Sequence, residues 1–347
     1  MNMKNQQKRV WLAGIFLVLL HTCVLLAGFV APYSPAGQNR DLPYAPPMRI
    51  HFSDASGRVH LRPLVYSLVP DPANFGAYLD DRTHPSFFRF FIRGDKYTIA
   101  GLFHSDLHLF GVDAPGRILL LGSDAYGRDQ FSRLVFGGQV SLAAGLVAAI
   151  LSLGFGLLLG AISGFYGRWL DEGMMRITEL FMALPWIYLL LAIRAFLPVH
   201  VSPVQAFFLL VCVIGVVGWT RPARLIRGTV LTAKERGYVL AGRGFGASDW
   251  DLLRRHILPQ TTGILLTQAA ILVPQYILAE ATLSFLGLGL GEPTPSWGNM
   301  LATLQQYKVI VSCWWMFTPA VTLVIVSGAY FVLSDSLHRL ESASNHQ

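Results

Sequence analysis

The sequence predicts an all-α, polytopic membrane protein with six transmembrane helices, and two observations carry that prediction. Of its 347 residues, 53% are hydrophobic and 14% are charged, a balance typical of membrane proteins. Six segments also approach the roughly 20 apolar residues that a helix needs to cross about 30 Å of hydrocarbon. These segments are residues 10–31, 140–165, 180–197, 204–219, 264–285 and 314–332.

The first apolar segment favours an uncleaved membrane anchor over a signal peptide. It follows Lys4, Lys8 and Arg9, as a signal peptide's apolar region would, and the small residues near its end offer a place for cleavage. Its apolar run of 22 residues, from 10 to 31, nevertheless exceeds the 7–15 residues of a signal sequence. Residues 1–9 are therefore predicted to form a cytoplasmic tail, and residues 10–31 the first transmembrane helix.

Basic residues determine the predicted orientation. Residues 221–262 contain eight Lys and Arg against three Asp and Glu, and the first nine residues add three more basic side chains. Basic segments next to spans stay on the cytoplasmic side of the membrane. With six spans, both termini, including the tail at 334–347, are then cytoplasmic and residues 32–138 lie outside. The net charge of +7 thus indicates topology and not a nucleic-acid partner.

The outer segment at 32–138 is too long to be a simple connector. Alternating apolar and polar residues at 58–66, and an aromatic run at 87–91, predict a small strand-rich unit at about 45–115. Residues 139–333 then form the membrane core with helices two to six. In the second predicted transmembrane helix, at 140–165, Gly156, Gly160 and Gly164 recur every four residues, which predicts a close helix contact. The alternative is that glycine is simply frequent in membrane helices.

The basic loop at 221–262 needs structure of its own. Residues 232–241 are predicted to be helical, and a series of glycines ending at Gly246 stops that helix. A second helix is predicted to begin at Ser248, an N-cap with Asp251 three residues on and Asp249 in the first turn. Two short helices joined by a glycine turn and projecting from the membrane are suited to transmitting force to the spans. The alternative is a basic loop that is simply exposed to solvent.

The loop also carries a recognisable pattern. Residues 238–248 read YVLAGRGFGAS and residues 255–259 read RHILP, which resembles the EAA loop of binding-protein-dependent ABC permeases. In that family the loop docks into a cleft on a cytoplasmic ATPase subunit. Leu240 stands where the family has Glu, and Gly242 where it has its second Ala. The resemblance implies a coupling role for Leu240, Ala241, Gly242, Gly246, Asp249, Arg255, His256, Leu258 and Pro259.

Further motifs resemble the C-type subunit of the dipeptide and oligopeptide branch. They are LGSDAYGRDQFSR at 121–133, GFYG at 164–167, AEATLSFLGLG at 279–289 and PSWG at 295–298. The resemblance implies the fold of a type I ABC importer with a long periplasmic insertion after the first helix. It also implies the import of short peptides, or of peptide-like solutes such as metal chelates or antibiotics, across a bacterial cytoplasmic membrane.

The same resemblance implies the partners. They are a second homologous permease subunit, two cytoplasmic ATPase subunits, and a periplasmic or lipid-anchored solute-binding protein. The chain is also expected to contact membrane lipid and to bind no nucleic acid. No Gly in the sequence is followed by Lys, so the phosphate-binding motif G-x-x-x-x-G-K-[ST] is absent. ATP and Mg²⁺ are therefore expected on the partner ATPases. No catalytic site and no bound cofactor are predicted for this chain.

Glu280 is a candidate pathway residue because a charge within a span costs a few kcal/mol and is by default functional. Its alternative is a protonated or hydrogen-bonded structural group. No metal site is predicted: Cys23, Cys212 and Cys313 lack ligand spacing, and the residues around His104 and His108 disfavour a helix that would align the two rings.

Two other classes of protein stay open. A secondary transporter or channel would place paired ionisable residues and broken helices in both halves of a repeat. A membrane-anchored sensor would bind ligand through residues 34–138 and signal through the basic loop. Neither class needs an ATPase, so co-purification of an ATPase distinguishes both from a permease.

Overall fold

The computed structural model describes residues 3–74, 76–99, 101, 103–196 and 202–344, and it is mostly helical. The chain divides into two compact units. The first comprises Met1–Leu17, Ala143–Leu283 and Ile325–Gln347, and the second comprises Val18–Leu142 and Ser284–Val324. In chain order the helices are α1 Met3–Leu25, α2 Ala27–Val30, α3 Gln130–Tyr166, α4 Arg168–Ala183, α5 Trp186–Phe196, α6 Pro203–Gly218, α7 Thr220–Lys234, α8 Gly237–Gly244, α9 Asp249–Asp251, α10 Thr262–Phe285, α11 Trp297–Ala302, α12 Tyr307–Ser312 and α13 Thr318–Ser344.

Four helical segments in the described part of the chain are long and apolar enough to cross a membrane. They are Gln6–Leu25, Gln130–Tyr166, Asp249–Phe285 and Trp314–Leu340. Two bent helix pairs reach the same length and hydropathy together, with angles of 92° between α4 and α5 and 40° between α6 and α7. The number of candidate spans rises to six when each pair is counted as one span.

The predicted third span at 180–197 is not one helix. Its first residues belong to the end of α4, and α5 starts only at Trp186. Leu184 between them is extended, with φ −85° and ψ 134°, because the ring of Pro185 disfavours the helical conformation in the preceding residue. The 11 residues of α5 cover about 16 Å, well short of the hydrocarbon thickness. Residue 197 lies outside the described residues.

The predicted tails are also helical where the structure describes them. Helix α1 includes residues from Met3 onward, before the predicted start at residue 10, and ends at Leu25. Helix α13 continues through the predicted tail as far as Ser344. Lys, Arg, Gln and Glu are good helix formers, so the backbone hydrogen bonding continues beyond the apolar residues.

The chain is not all-α, because an antiparallel sheet in the order β1-β2-β3-β4 lies between α2 and α3. Strand β3 pairs with β2 through its first half and with β4 through its second half. A register shift follows Tyr66, whose partner Pro85 has no N–H to donate. The strands are β1 His51–Ser53, β2 Val59–Pro70, β3 Tyr78–Ile99 and β4 Phe103–Val112.

An ion cluster with two buried arginines lies at residues 124–133 of the second unit. Arg128 donates to Asp124 at 2.7 Å and to Glu292 at 2.6 Å, and Arg133 donates to Glu292 at 2.9 Å. Both arginine side chains are buried. Nearby Asp129 accepts hydrogen bonds from the backbone and hydroxyl of Ser132, but its burial outweighs them and raises its pKa to about 6.

Candidate functional site

The basic loop folds into a hairpin, residues 235–261, that follows α7. Arg236 is extended, with φ −70° and ψ 142°, so it interrupts the single helix predicted at 232–241 and starts α8 instead. The first two glycines of the predicted corner, Gly242 and Gly244, lie inside α8. The chain reverses at Gly246, whose φ of +85° is a left-handed conformation that glycine adopts without strain.

The return arm of the hairpin begins at the predicted N-cap, and that prediction is confirmed. The Ser248 hydroxyl accepts a hydrogen bond from the backbone N–H of Asp251 at 3.1 Å and donates to the Asp251 carboxylate at 2.8 Å. After α9 the chain forms a π-helical turn at Leu252–Ile257 and a 3-10 turn at Leu258–Thr261, then enters α10. The hairpin is therefore continuous with a membrane-length helical segment.

The inner side of the hairpin is part of a hydrophobic core. Val239 from α8, and Leu252 and Ile257 from the return arm, are almost completely buried. They belong to one cluster with Phe165 at the end of α3 and with residues of α7. Displacement of the hairpin is therefore resisted by tight packing against both helices. The remaining buried members of the cluster are Ala161, Ile226, Val230, Ala233 and Leu253.

The outer side of the hairpin exposes large apolar and aromatic side chains. Phe245 is 92% exposed and Trp250 is 64% exposed, while Tyr238 and Leu240 are each 48% exposed. Exposed aromatic clusters with a polar rim are typical of protein interaction sites. Arg243 reaches Asp249 at 3.7 Å, and Arg255 reaches Asp251 at 3.6 Å.

Helices α3 and α4 join α7 at the base of the hairpin. The guanidinium of Arg227 on α7 donates to the carboxylate of Asp171 on α4, which also accepts from the Ser163 hydroxyl of α3. Lys234 donates to the carbonyl of Gly164 at 3.1 Å. A Cβ placed on Gly160 would lie 2.5 Å from the carbonyl oxygen of Ala223, so the glycine face of α3 directly contacts the α7 backbone.

The residues assigned by resemblance divide between the two sides of the hairpin. Leu258 is half-buried against the core, and Gly242 is half-buried with its Cα facing Leu252. Glu280 lies elsewhere, on α10, and is fully buried. The other assigned residues are exposed: Leu240, Ala241, Gly246, Asp249, Arg255, His256 and Pro259.

Some residues of the hairpin surface, and one contact at its base, were not predicted from the sequence. Tyr238, Phe245 and Trp250 form much of the exposed surface, and the signal that marks them is three aromatic residues flanking a glycine turn in a polar loop. The contact of Asp171 with Arg227 joins residues 56 positions apart, and no local pattern indicates it.

The comparison with known proteins extends over most of the membrane region. Residues 156–342 match the model of the family described as binding-protein-dependent transport system inner membrane component. The dipeptide transport system permease protein DppC of Bacillus subtilis is 38% identical over 217 residues, which are 62% of this chain and 66% of that protein. The oligopeptide transport system permease protein OppC of Bacillus subtilis is 36% identical over 239 residues, 67% of this chain and 75% of that protein.

A solved structure is also similar. The inward-facing MetNI methionine ABC transporter aligns with a TM-score of 0.45 and 21% sequence identity. The alignment covers 60% of this chain and 96% of the matched chain.

Proposed function

Because this chain belongs to the family of binding-protein-dependent transport system inner membrane components, it is a permease subunit of an ABC importer, and we propose that it carries short peptides or peptide-like solutes. The ATPase activity of such an importer resides in a separate subunit. The peptide assignment is supported by relatives at 36–38% identity that are named as dipeptide and oligopeptide permeases.

The hairpin at 235–261 is the proposed docking site for a cytoplasmic ATPase subunit. The observation that carries this proposal is its two-sidedness: Phe245 and Trp250 are exposed, while Val239, Leu252 and Ile257 are buried against the base of α3 and α7. An ATPase that grips the outer side would displace the inner side with it. Because packed cores are nearly incompressible, that displacement passes into α3 and α7.

At Leu240 the hairpin departs from the family pattern, which has Glu at this position. A Glu at this position would offer a charged contact, whereas Leu240 is half-exposed and offers an apolar contact. We therefore expect the complex with the ATPase to depend less on ionic strength than one held by an ion pair, since salt screens exposed charges and not apolar contacts.

The proposed architecture is that of a type I importer with six spans, in which each bent helix pair counts as one. Both termini and the hairpin would face the cytoplasm, and the sheet of residues 51–112 would lie in the periplasm of a bacterial cell. Support comes from the basic residues of 221–262 and from the four long apolar helices. The proposed partners are a second homologous permease, two ATPase subunits that bind ATP and Mg²⁺, and a periplasmic or lipid-anchored solute-binding protein.

Glu280 is a proposed pathway residue on α10. It is fully buried within a helix of membrane length. Carboxylates at such positions commonly face a bundle interior or a water-filled cavity. The proposal predicts that Glu280→Gln changes substrate selectivity or uptake while leaving association with the ATPase intact.

Co-purification tests the docking site. Phe245→Ala combined with Trp250→Ala removes the two most exposed aromatic rings of the hairpin, and we expect ATPase binding to weaken about 30-fold or more, the loss typical of interface hot spots. Affinity should be measured between detergent-solubilised permease and purified ATPase, together with uptake of labelled trialanine in proteoliposomes that contain the complete importer.

Tyr307→Ala is the matched control, because Tyr307 is 80% exposed but lies outside the hairpin. It should leave both ATPase binding and uptake unchanged. Unaltered ATPase affinity in the double variant would rule out docking through this surface. Failure of the complete importer to take up any peptide would remove the proposed substrate class and leave the docking result standing.

A further inference from the structure

A cavity of about 580 Å³ lies within the second unit. Residues from three segments far apart in the sequence line it: four of residues 40–44, the end of β2 with residues 71 and 76–78, and six of residues 306–315, of which Tyr307 is not one. The volume falls within the range of about 300–1,000 Å³ that is usual for small-molecule sites. Part of its wall comes from the insertion that the family motifs do not include.

Charges of both signs line this cavity. Arg40 and Lys308 are basic, and Asp41 and Asp71 are acidic. Within the described part of the chain, the side chains of Arg40 and Asp41 make no hydrogen bond or ion pair, and both residues are exposed. Asp71 accepts from the Asn74 amide and the Ala73 backbone N–H, each at 2.9 Å, and these bonds hold its pKa below the usual value. Asp71 therefore stays ionised at neutral pH.

Aromatic rings in fixed positions complete the wall. The Tyr78 hydroxyl donates to the Pro43 carbonyl at 2.6 Å, and the Trp315 indole N–H donates to the Ser123 carbonyl at 3.0 Å. Tyr44 has a φ of +54°, a left-handed conformation that costs a residue with a side chain about 1–2 kcal/mol. Backbone strain of this kind persists where the surrounding structure enforces it, often at ligand sites.

We propose that this cavity binds a short zwitterionic peptide by both of its charged ends. The peptide ammonium would pair with Asp41 and Asp71, and its carboxylate with Arg40 and Lys308, through charge-assisted hydrogen bonds. The choice of a peptide rests on the proposed transport function. A protein partner fits this feature less well, because stable protein interfaces bury more than about 1,000 Å² and are not confined to a small concave site.

Thiol labelling tests whether a peptide occupies the cavity. Ser312 lines the cavity and is exposed, so Ser312→Cys places a reactive thiol there in a chain that also carries Cys23→Ala, Cys212→Ala and Cys313→Ala. Maleimide modification is measured on the purified importer with increasing trialanine. We expect trialanine to slow the modification, and N-acetyl-trialanine amide, which lacks both charges, to have no effect at the same concentration.

Substitution of the charged residues that line the cavity tests which of them contact the peptide. Arg40→Gln together with Asp41→Asn should raise the trialanine concentration needed for protection by about tenfold or more, as expected for the loss of a charged hydrogen bond. Lys308→Gln tests the other basic side chain independently should the double variant fail to insert. Arg49→Gln is the matched control, since Arg49 is exposed in the same part of the chain but does not line the cavity.

The outcomes separate this proposal from the transport function. Equal modification rates with and without millimolar trialanine, in an importer that still takes up peptide, overturn the cavity proposal alone. Protection by the solute-binding protein but not by free peptide also overturns it, because the cavity would then be a protein interface. Protection by trialanine in an importer that transports no peptide supports the cavity and removes the proposed transport substrate.

Discussion

At the scale of single residues, the three glycines at and before the turn of the hairpin, Gly242, Gly244 and Gly246, are constrained in different ways. A Cβ on Gly242 would lie 3.1 Å from the Leu252 side chain, whereas one on Gly244 would meet nothing within 4 Å. Gly246 also has open space around it, but its φ of +85° strains any other residue by about 1–2 kcal/mol. Gly242 in place of the family's second Ala is thus compatible with the close packing of Leu252.

Glu292 is the other residue whose role depends on its neighbours. Burial tends to raise its pKa, but the hydrogen bond from Arg128 and the charge of Arg133 together hold that pKa below its usual value. A carboxyl group whose pKa is lowered by folding stabilises the protein above its unfolded-state pKa, near 4.3. That stabilisation is lost as the pH falls through the lower pKa of the folded protein.

We predict that Glu292→Gln lowers the free energy of unfolding by about 1–3 kcal/mol at pH 7, because two buried arginines lose a shared carboxylate partner. Because the Glu292 side chain is 48% exposed, water screens its charge, and we expect the loss of stability to fall below the upper end of that range. The difference from the wild-type protein should shrink below about pH 4. Thermal unfolding of the purified importer at several pH values measures this difference in stability.

Glu172→Gln serves as the control for this charge removal, since Glu172 is an exposed acid of α4. It should leave the unfolding temperature unchanged at every pH. A stability difference for Glu292→Gln that is the same at pH 7 and at pH 3.5 would contradict the role assigned to its ionised form.

At the scale of elements, the glycine face of α3 sets how closely α7 approaches. Cβ atoms added to Gly156, Gly160 and Gly164 would lie 2.5–2.9 Å from atoms of residues 222–230. Small residues at such positions allow two helix backbones to pack directly in a membrane, where no hydrophobic effect holds the helices together. The hairpin depends on this contact because its inner side packs on the same two helices.

Gly160→Leu should therefore destabilise the first unit by about 1–3 kcal/mol through overpacking, and it should also reduce uptake. Gly154→Leu is the matched control, because Gly154 lies on the same helix and a Cβ there meets nothing within 4 Å. The melting temperature in detergent and the uptake of labelled peptide are the measurements. Equal effects of the two substitutions would show that the α3–α7 contact is not specific.

At the scale of the whole molecule, the transport proposal requires the hairpin and the sheet to face opposite sides of the membrane. The positive-inside rule supports a cytoplasmic hairpin, because residues 221–262 hold eight basic and three acidic side chains. The outer segment at 32–138 is long and is not oriented by that rule. Its proposed location outside the cytoplasm depends on the proposed number of six spans.

Thiol accessibility checks the orientation in a chain without native cysteines. Leu61→Cys lies on a fully exposed position of β2 and should react with a membrane-impermeant maleimide in intact spheroplasts. Phe245→Cys, in the hairpin, should react only after the membrane is permeabilised. The reverse labelling pattern would exclude docking of a cytoplasmic ATPase on the hairpin.

The amino-acid sequence alone determined the membrane class, most of the apolar helices, the family motifs and the glycine turn with its Ser248 cap. These features follow from the partition of apolar residues and from local backbone preferences, which depend on each residue and its near neighbours. The break before Trp186 is also local and follows from Pro185, whereas the start of α8 at Gly237 depends on an extended Arg236 that helical propensity does not reveal.

Only the tertiary structure decided which side of the hairpin is buried, which helix covers Gly160, and that Glu292 meets Arg128, which lies 164 residues earlier in the chain. It likewise brought Arg40, Asp71 and Lys308 to one cavity. Such contacts join distant segments, and their existence depends on how whole elements pack. No periodicity within a single segment records that packing.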